Sequence, residues 1–124
     1  MGRKMRDTGS AGERVASAHL RKIGYRICQA NFRTPFGEID IVAKHKGVII
    51  FVEVKSRITS SFGPPYLSVT RLKERHIIKN ALFYLKKHRI PEADWRIDIV
   101  SVKLDDQCKS ESIEVIENAV EDWR

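Results

Sequence analysis

Asp40, Glu53 and Lys55 are the residues of this chain whose types and spacing point to chemistry. Together with Glu38 they interrupt two apolar runs, Ile39–Ala43 and Val48–Val54, which are joined by Lys44-His45-Lys46-Gly47. Both runs are rich in Ile and Val, β-branched residues that pack well on a pleated surface, so both read as strands. Charges in such strands are costly to bury unless they are paired, hydrogen-bonded or bound to metal. A two-residue turn at Lys46-Gly47 sets Ala43 opposite Ile50, Val42 opposite Phe51 and Asp40 opposite Glu53. On that register the four charged groups share one face, while Ile39, Ile41, Val52 and Val54 share the other. A longer loop slips the register and separates the pairs.

Two carboxylates in contact repel, and one keeps its proton unless a cation lies between them. A hard divalent ion resolves the conflict, because Mg²⁺ takes carboxylate oxygens together with water and phosphate. Mg²⁺ or Mn²⁺ is therefore the expected cofactor, with Asp40 and Glu53 as its ligands. Lys55 beside the ion would steady developing negative charge or orient an attacking water. The plainer alternative is a cross-strand ion pair on a solvated sheet face, which contributes almost nothing. Each residue taken alone fits that alternative; the three together, spaced as they are, favour a site.

Asp40 followed by Glu53-Val54-Lys55 resembles the Asp…(Asp/Glu)-X-Lys signature of the PD-(D/E)XK nuclease superfamily. The wider pattern is similar to one small bacterial family within it, the YraN-like proteins. The matching pieces are Gly12-Glu13, Asn31-Phe32-Arg33, Gly37-Glu38-Ile39-Asp40, Phe51-Val52-Glu53-Val54-Lys55, Val69-Thr70-Arg71-Leu72-Lys73 and Arg96-Ile97-Asp98-Ile99-Val100. They span almost the whole chain. Ile39 stands where the superfamily name has proline. The resemblance implies a restriction endonuclease-like fold of the α/β class, with an αβββαβ core and a mixed central sheet flanked by helices. It implies metal-dependent hydrolysis of DNA phosphodiester bonds, with branched or junction DNA favoured by likeness to junction resolvases, some of which act as homodimers. It also implies that the Val54 carbonyl completes the metal site, that Glu13 supports the ion from the first helix, and that Lys73 reaches the active centre from the second. Two other classes fit the same residues: a catalytically idle nucleic-acid-binding protein, and a protein-interaction adaptor on a nuclease fold.

The chain has 124 residues, enough for one domain, and 42% hydrophobic content argues against general disorder. Its formal net charge of +7 suits a polyanionic partner, DNA above all, although an anionic membrane or simple solubility fits that number too. Cys28 and Cys108 form no CxxC pair, and His19, His45, His76 and His88 show no metal-ligand spacing. No apolar run approaches a membrane span of roughly 20 residues, and the basic N-terminus has no apolar stretch behind it, so a cytoplasmic protein is expected.

The elements that must position these residues follow from local pattern. Residues 1–9 read as a flexible basic arm, and 10–124 as a single nuclease-like domain. Ser10-Ala11-Gly12-Glu13 has the spacing of a capping box, predicting a helix from Ser10 to about Lys22 that buries Ala16, Leu20 and Ile23 and stops at Gly24. Two readings of Glu13 stand together: a carboxylate reaching back to the cap, and one reaching toward Asp40 and Glu53. Tyr25–Phe32 reads as a strand, followed by a turn at Arg33–Gly37 in which Arg33 is a candidate for phosphate, with plain solvation as the commoner fate of a loop arginine. Ser56–Ser68 is Ser/Thr/Gly/Pro-rich and reads as a loop bordering the site; Arg57, Phe62 and Tyr66 give it a cation and two aromatics that suit phosphates and unpaired bases, while a loop pinned by burying its aromatics fits them slightly better. Thr70 caps a helix to about His88, with Ile78, Ala81, Leu82 and Leu85 on its inner stripe and Ile77 and Tyr84 widening it. Arg71 and Lys73 at its start, with Arg75, Lys79, Lys86 and Lys87 further on, are candidate phosphate anchors. Trp95–Val102 and Ser112–Ile116 complete the strands, with Asp98 in a structural role, and Val120 and Trp123 suggest a final helical turn.

Overall fold

Two residues with positive φ, Lys46 at 52° and Gly47 at 80°, close the central hairpin with the tight turn that its sequence predicts. The strands on either side, β2 (Gly37–His45) and β3 (Val48–Arg57), pair antiparallel with Ala43 opposite Ile50 and Val42 opposite Phe51. The computed structural model describes residues 3–58, 70–90 and 92–120. Around the hairpin, α1 (Arg3–Lys22) leads into β1 (Arg26–Thr34), and α2 (Arg71–Lys87) carries the chain from β3 to β4 (Trp95–Leu104), followed by β5 (Ser110–Ile116).

The five strands form one sheet in the order β1-β2-β3-β4-β5. β3 and β4 are parallel, as a helical crossover requires, and the other neighbours are antiparallel. One core joins α1 residues Ala11, Ala16 and Leu20 to Ile41, Ile50, Val52, Val100 and Val102. A second joins α2 residues Ile77, Ala81, Tyr84 and Leu85 to Phe32, Ile39, Phe51 and Ile97. The sheet thus has a helix on each face, the mixed αβββαβ arrangement of the restriction endonuclease-like fold. Full burial of Phe51, which is 1% exposed, is worth about 2–3 kcal/mol.

The helix ends are set by backbone chemistry. Gly24 (φ 101°) closes α1: its N–H donates to the Arg21 carbonyl and the Tyr25 N–H donates to that of Leu20. This pairing turns the chain straight into β1 and seats Tyr25 on Leu20. At the start of α2 the Thr70 hydroxyl accepts from the Lys73 N–H at 3.3 Å, as the sequence predicts.

Several expectations need correcting. α1 begins at Arg3, so residues 3–9 are helical rather than an arm, and Ser10 lies inside the helix, where its Oγ accepts from Arg14. Ile23 falls beyond the last helical turn and is 43% exposed. The buried stripe of α2 is Ile77, Asn80, Ala81, Tyr84 and Leu85, leaving Leu82 exposed. The stripe is rotated because Asn80 is tied to its surroundings: the Thr34 hydroxyl donates to its side-chain oxygen, and its amide nitrogen donates to the Glu38 carbonyl. Arg57 is the last residue of β3, not part of a loop. Phe62, Tyr66 and Trp123 lie outside the described residues.

Asp98 is structural, as expected. Fully buried on β4, it accepts from Arg96 Nε (2.9 Å), the Tyr25 hydroxyl (2.9 Å) and the Asn118 backbone N–H (2.9 Å). The nearby negative charge and burial push the Tyr25 phenol up to about 12, burial being the larger cause.

Candidate metal centre

The sheet forks at Asp40. β2 pairs with β3 only as far as Ile41 opposite Val52, whereas β3 continues against β4 to Arg57 opposite Lys103. Beyond the fork, Gly37–Asp40 remains with β1 and Glu53–Arg57 remains with β4. The Asp40 carboxylate holds the crotch: its Oδ2 accepts from the Val54 backbone N–H at 2.8 Å. A side chain thereby replaces the carbonyl partner that the ladder no longer supplies.

Faces also change at this point. Ile41, Val52 and Val54 lie on the α1 side as expected, but Ile39 packs on the α2 side with Phe32 and Phe51. The register of β1 on β2 places Asn31 opposite Asp40, and Asn31 has φ 53°, outside strand geometry. This break ends the strict alternation on which the four-charges-on-one-face expectation rested. Asp40 instead stands between two sets of groups. One ligand oxygen each of Glu13, Glu38 and Asp40 lie within 4.8 Å of one another. Glu53 stands near enough to Asp40 for each carboxyl to shift the other, and Lys55 and, from α2, Lys73 bring positive charge to Glu53.

Gly12 explains how α1 brings Glu13 this close. A Cβ at Gly12 would lie 2.6 Å from Ser56 Oγ, so only glycine lets the helix settle so tightly on β3. Asn31 is the further member of the cluster. Its side-chain amide faces two carboxylates, so the nitrogen must point toward them, donating to Glu13 Oε1 at 3.0 Å and Glu38 Oε1 at 3.1 Å.

The electrostatics favour added positive charge. Burial, then Asp40, then Glu38 raise the Glu13 carboxyl. Burial raises Asp40 against the lowering effects of the Val54 N–H, Glu53 and Lys55. Glu53 is pushed up to about 8, first by burial and then by Asp40, with Lys55 opposing. Burial and mutual repulsion therefore make the Asp40–Glu53 pair keep a proton that two separate carboxyls would lose. A field that makes three carboxyls hold protons tightly also favours a cation. The all-oxygen donor set fits a hard divalent ion of the Mg²⁺ or Mn²⁺ type.

Lys55 Nζ lies 3.7 Å from Glu53 Oε1, and both side chains are about one-fifth exposed. Of the phosphate-binding candidates, Lys73 lends positive charge to Glu53, Arg33 lies opposite Glu38 in the β1–β2 register, Arg57 ends β3, and Arg71 is exposed at the first turn of α2. Sequence reasoning passed over Asn31, Glu38 and Gly12 as site residues. The Asn31-Phe32-Arg33 and Gly12-Glu13 pieces marked two of the positions without indicating their task.

The pattern that defines Uncharacterised protein family UPF0102 matches residues 12–102. A UPF0102 protein of Desulfosudis oleivorans is 48% identical over 111 residues, covering 90% of this chain and 87% of that protein. One from Pelobacter propionicus is 45% identical over 118 residues, covering 94% and 84%. A third, from Syntrophus aciditrophicus, is 44% identical over 115 residues, covering 92% and 88%. The matched span runs from the glycine that seats α1 to near the end of β4, and so includes every residue of the acidic cluster. This chain belongs to the UPF0102 family, the YraN-like proteins that its motifs resemble.

Proposed function

We propose that this protein is a divalent-metal-dependent endonuclease that hydrolyses DNA phosphodiester bonds. The observation carrying this reading is the fork itself: Asp40, Glu53 and Lys55 converge where two strands part, with Glu13 delivered from the facing helix. Asp40, Glu53 and Glu13 would hold the ion. The N–H and C=O of one strand residue point to the same edge, so the Val54 carbonyl is directed into the same gap as its N–H. When bound, the ion supplies Lewis-acid polarisation of a phosphoryl oxygen and a more acidic water.

The chain's own groups do the rest. Lys55 offers an ammonium to negative charge developing on the phosphate or orients the attacking water. Lys73 and Arg71, at the start of α2, lie on the same side of the sheet as Glu53 and would hold the flanking backbone. Branched DNA is the favoured substrate on resemblance to junction resolvases, and a homodimer would suit a symmetric junction. No helix among the described residues is long and apolar enough to cross a membrane.

The test is cleavage of labelled linear, single-stranded, flap and four-way-junction DNA in Mg²⁺, Mn²⁺ or EDTA, with Asp40→Ala and Lys55→Ala beside wild type. Metal-dependent cleavage lost in both variants is the expected result. Equal inertness of all three proteins on every substrate refutes the reading. Salt-sensitive binding by all three would then indicate a DNA-binding module.

A further inference from the structure

Asn31 sits where three elements meet: its own strand β1, Glu38 on β2 and Glu13 on α1. Two demands fall on this position. The backbone there has φ 53°, a region that among side-chain-bearing residues chiefly Asn and Asp tolerate. The side chain faces one oxygen from each of two carboxylates, so it must offer two donors. Glycine meets the first demand without the second, and Asp meets the first while adding a third negative group. Asn meets both.

We infer that Asn31 is a positioning residue for the metal centre: its amide holds Oε1 of Glu13 and of Glu38 and thereby fixes how both carboxylates face Asp40. The inference rests on the metal-site reading and adds to it a residue that touches neither ion nor substrate. Each glutamate has a second oxygen, and anchoring the first removes the rotation that would otherwise scatter it. The two N–H groups also soften the repulsion between neighbouring carboxylates, so the cluster is assembled before a cation arrives. Because Asn31 lies opposite Asp40 in the register, the strand irregularity that turns Asp40 toward Val54 and the amide that orients Glu13 and Glu38 belong to one residue.

The experiment uses the full chain with Mn²⁺ as probe, followed by electron paramagnetic resonance titration and calorimetry. Asn31→Gly is the informative variant, since glycine reaches the same φ and keeps the strand irregularity; Asn31→Ala, which strains that backbone, is its companion. Loss of an outer-sphere partner of this kind lowers metal affinity about 10–100-fold. Asn31→Gly is expected to weaken Mn²⁺ binding by that factor and broaden the Mn²⁺ spectrum, while its melting temperature in EDTA falls less than that of Asn31→Ala. Asn31→Ala is expected to lose both affinity and melting temperature. Unchanged Mn²⁺ affinity in Asn31→Gly, with or without a lower melting temperature, overturns the inference while leaving the metal centre intact. Absence of Mn²⁺ binding by wild type overturns the metal centre and this inference together.

Discussion

Glu53→Gln should stabilise this protein at neutral pH in the absence of metal, although it removes a proposed catalytic group. Glu53 moves from an ordinary 4.5 to about 8 in the folded chain, chiefly through burial and secondarily through Asp40. A carboxyl raised on folding contributes stability that is complete below its unfolded value and is lost as pH rises through the folded one. The window is therefore about pH 4.5 to 8. At ~1.36 kcal/mol per pH unit, the loss across that window is on the order of 3–5 kcal/mol. For a domain of this size that corresponds to roughly 10 °C in melting temperature. Glutamine does not titrate, and its amide can still donate to Asp40 where the protonated carboxyl did. In EDTA, the melting temperature of the variant minus that of wild type should be near zero at pH 4.5 and climb to about 10 °C by pH 8.5. Millimolar Mg²⁺ or Mn²⁺ at pH 8 should narrow the gap by binding wild type, at about 2.7 kcal/mol when the ion is a hundredfold above its dissociation constant. Thermal melts followed by circular dichroism across pH settle the matter. A gap that is the same at pH 5 and pH 8.5 would falsify the claim that Glu53 is forced to hold a proton beside Asp40.

Three further outcomes follow from the contacts. Asp40→Ala strands the Val54 N–H and should cost about 1–3 kcal/mol in urea unfolding, whereas Asp40→Asn keeps an acceptor there and should lose cleavage with a smaller stability loss. Gly12→Ala drives a methyl group into Ser56 and should cost about 1–3 kcal/mol while weakening Mn²⁺ binding through displaced Glu13; adding Ser56→Gly should recover part of both, and a double-mutant cycle showing no coupling would refute the contact. Asp98→Ala leaves Arg96 without its buried partner and should cost about 3–5 kcal/mol, the largest loss of the set by calorimetry.

The register of the central hairpin was legible because Lys46-Gly47 permits a tight turn, and a tight turn leaves one pairing. From it Asp40 beside Glu53 follows directly. What pattern did not reveal was the change of face at Asp40, since alternation is the assumption by which strands are read. Asn31 breaks that alternation from the neighbouring strand, and a single polar residue in a strand carries no outward sign of positive φ. Glu38 was therefore assigned a face but no task. The same blindness displaced the stripe on α2: Asn80 reads as surface, yet it is 4% exposed because Thr34 and the Glu38 carbonyl satisfy it. The α1 start was misplaced because Ser10 and Glu13 imitate a cap so well, while Glu13 is engaged by Asn31 instead.

The parting of β2 from β3 divides one continuous hairpin into two regions with different tolerances. Toward the turn, residues 41–45 and 48–52 are locked to each other, and a change there is felt as lost folding. Toward the open end, residues 37–40 and 53–57 each keep only an outer neighbour, so a change there is felt first at the acidic cluster rather than in the pairing of the turn half. Such a hairpin is an anvil at one end and an exchangeable tool at the other. Chemistry can therefore be altered at the open end while the turn half keeps the hairpin in register.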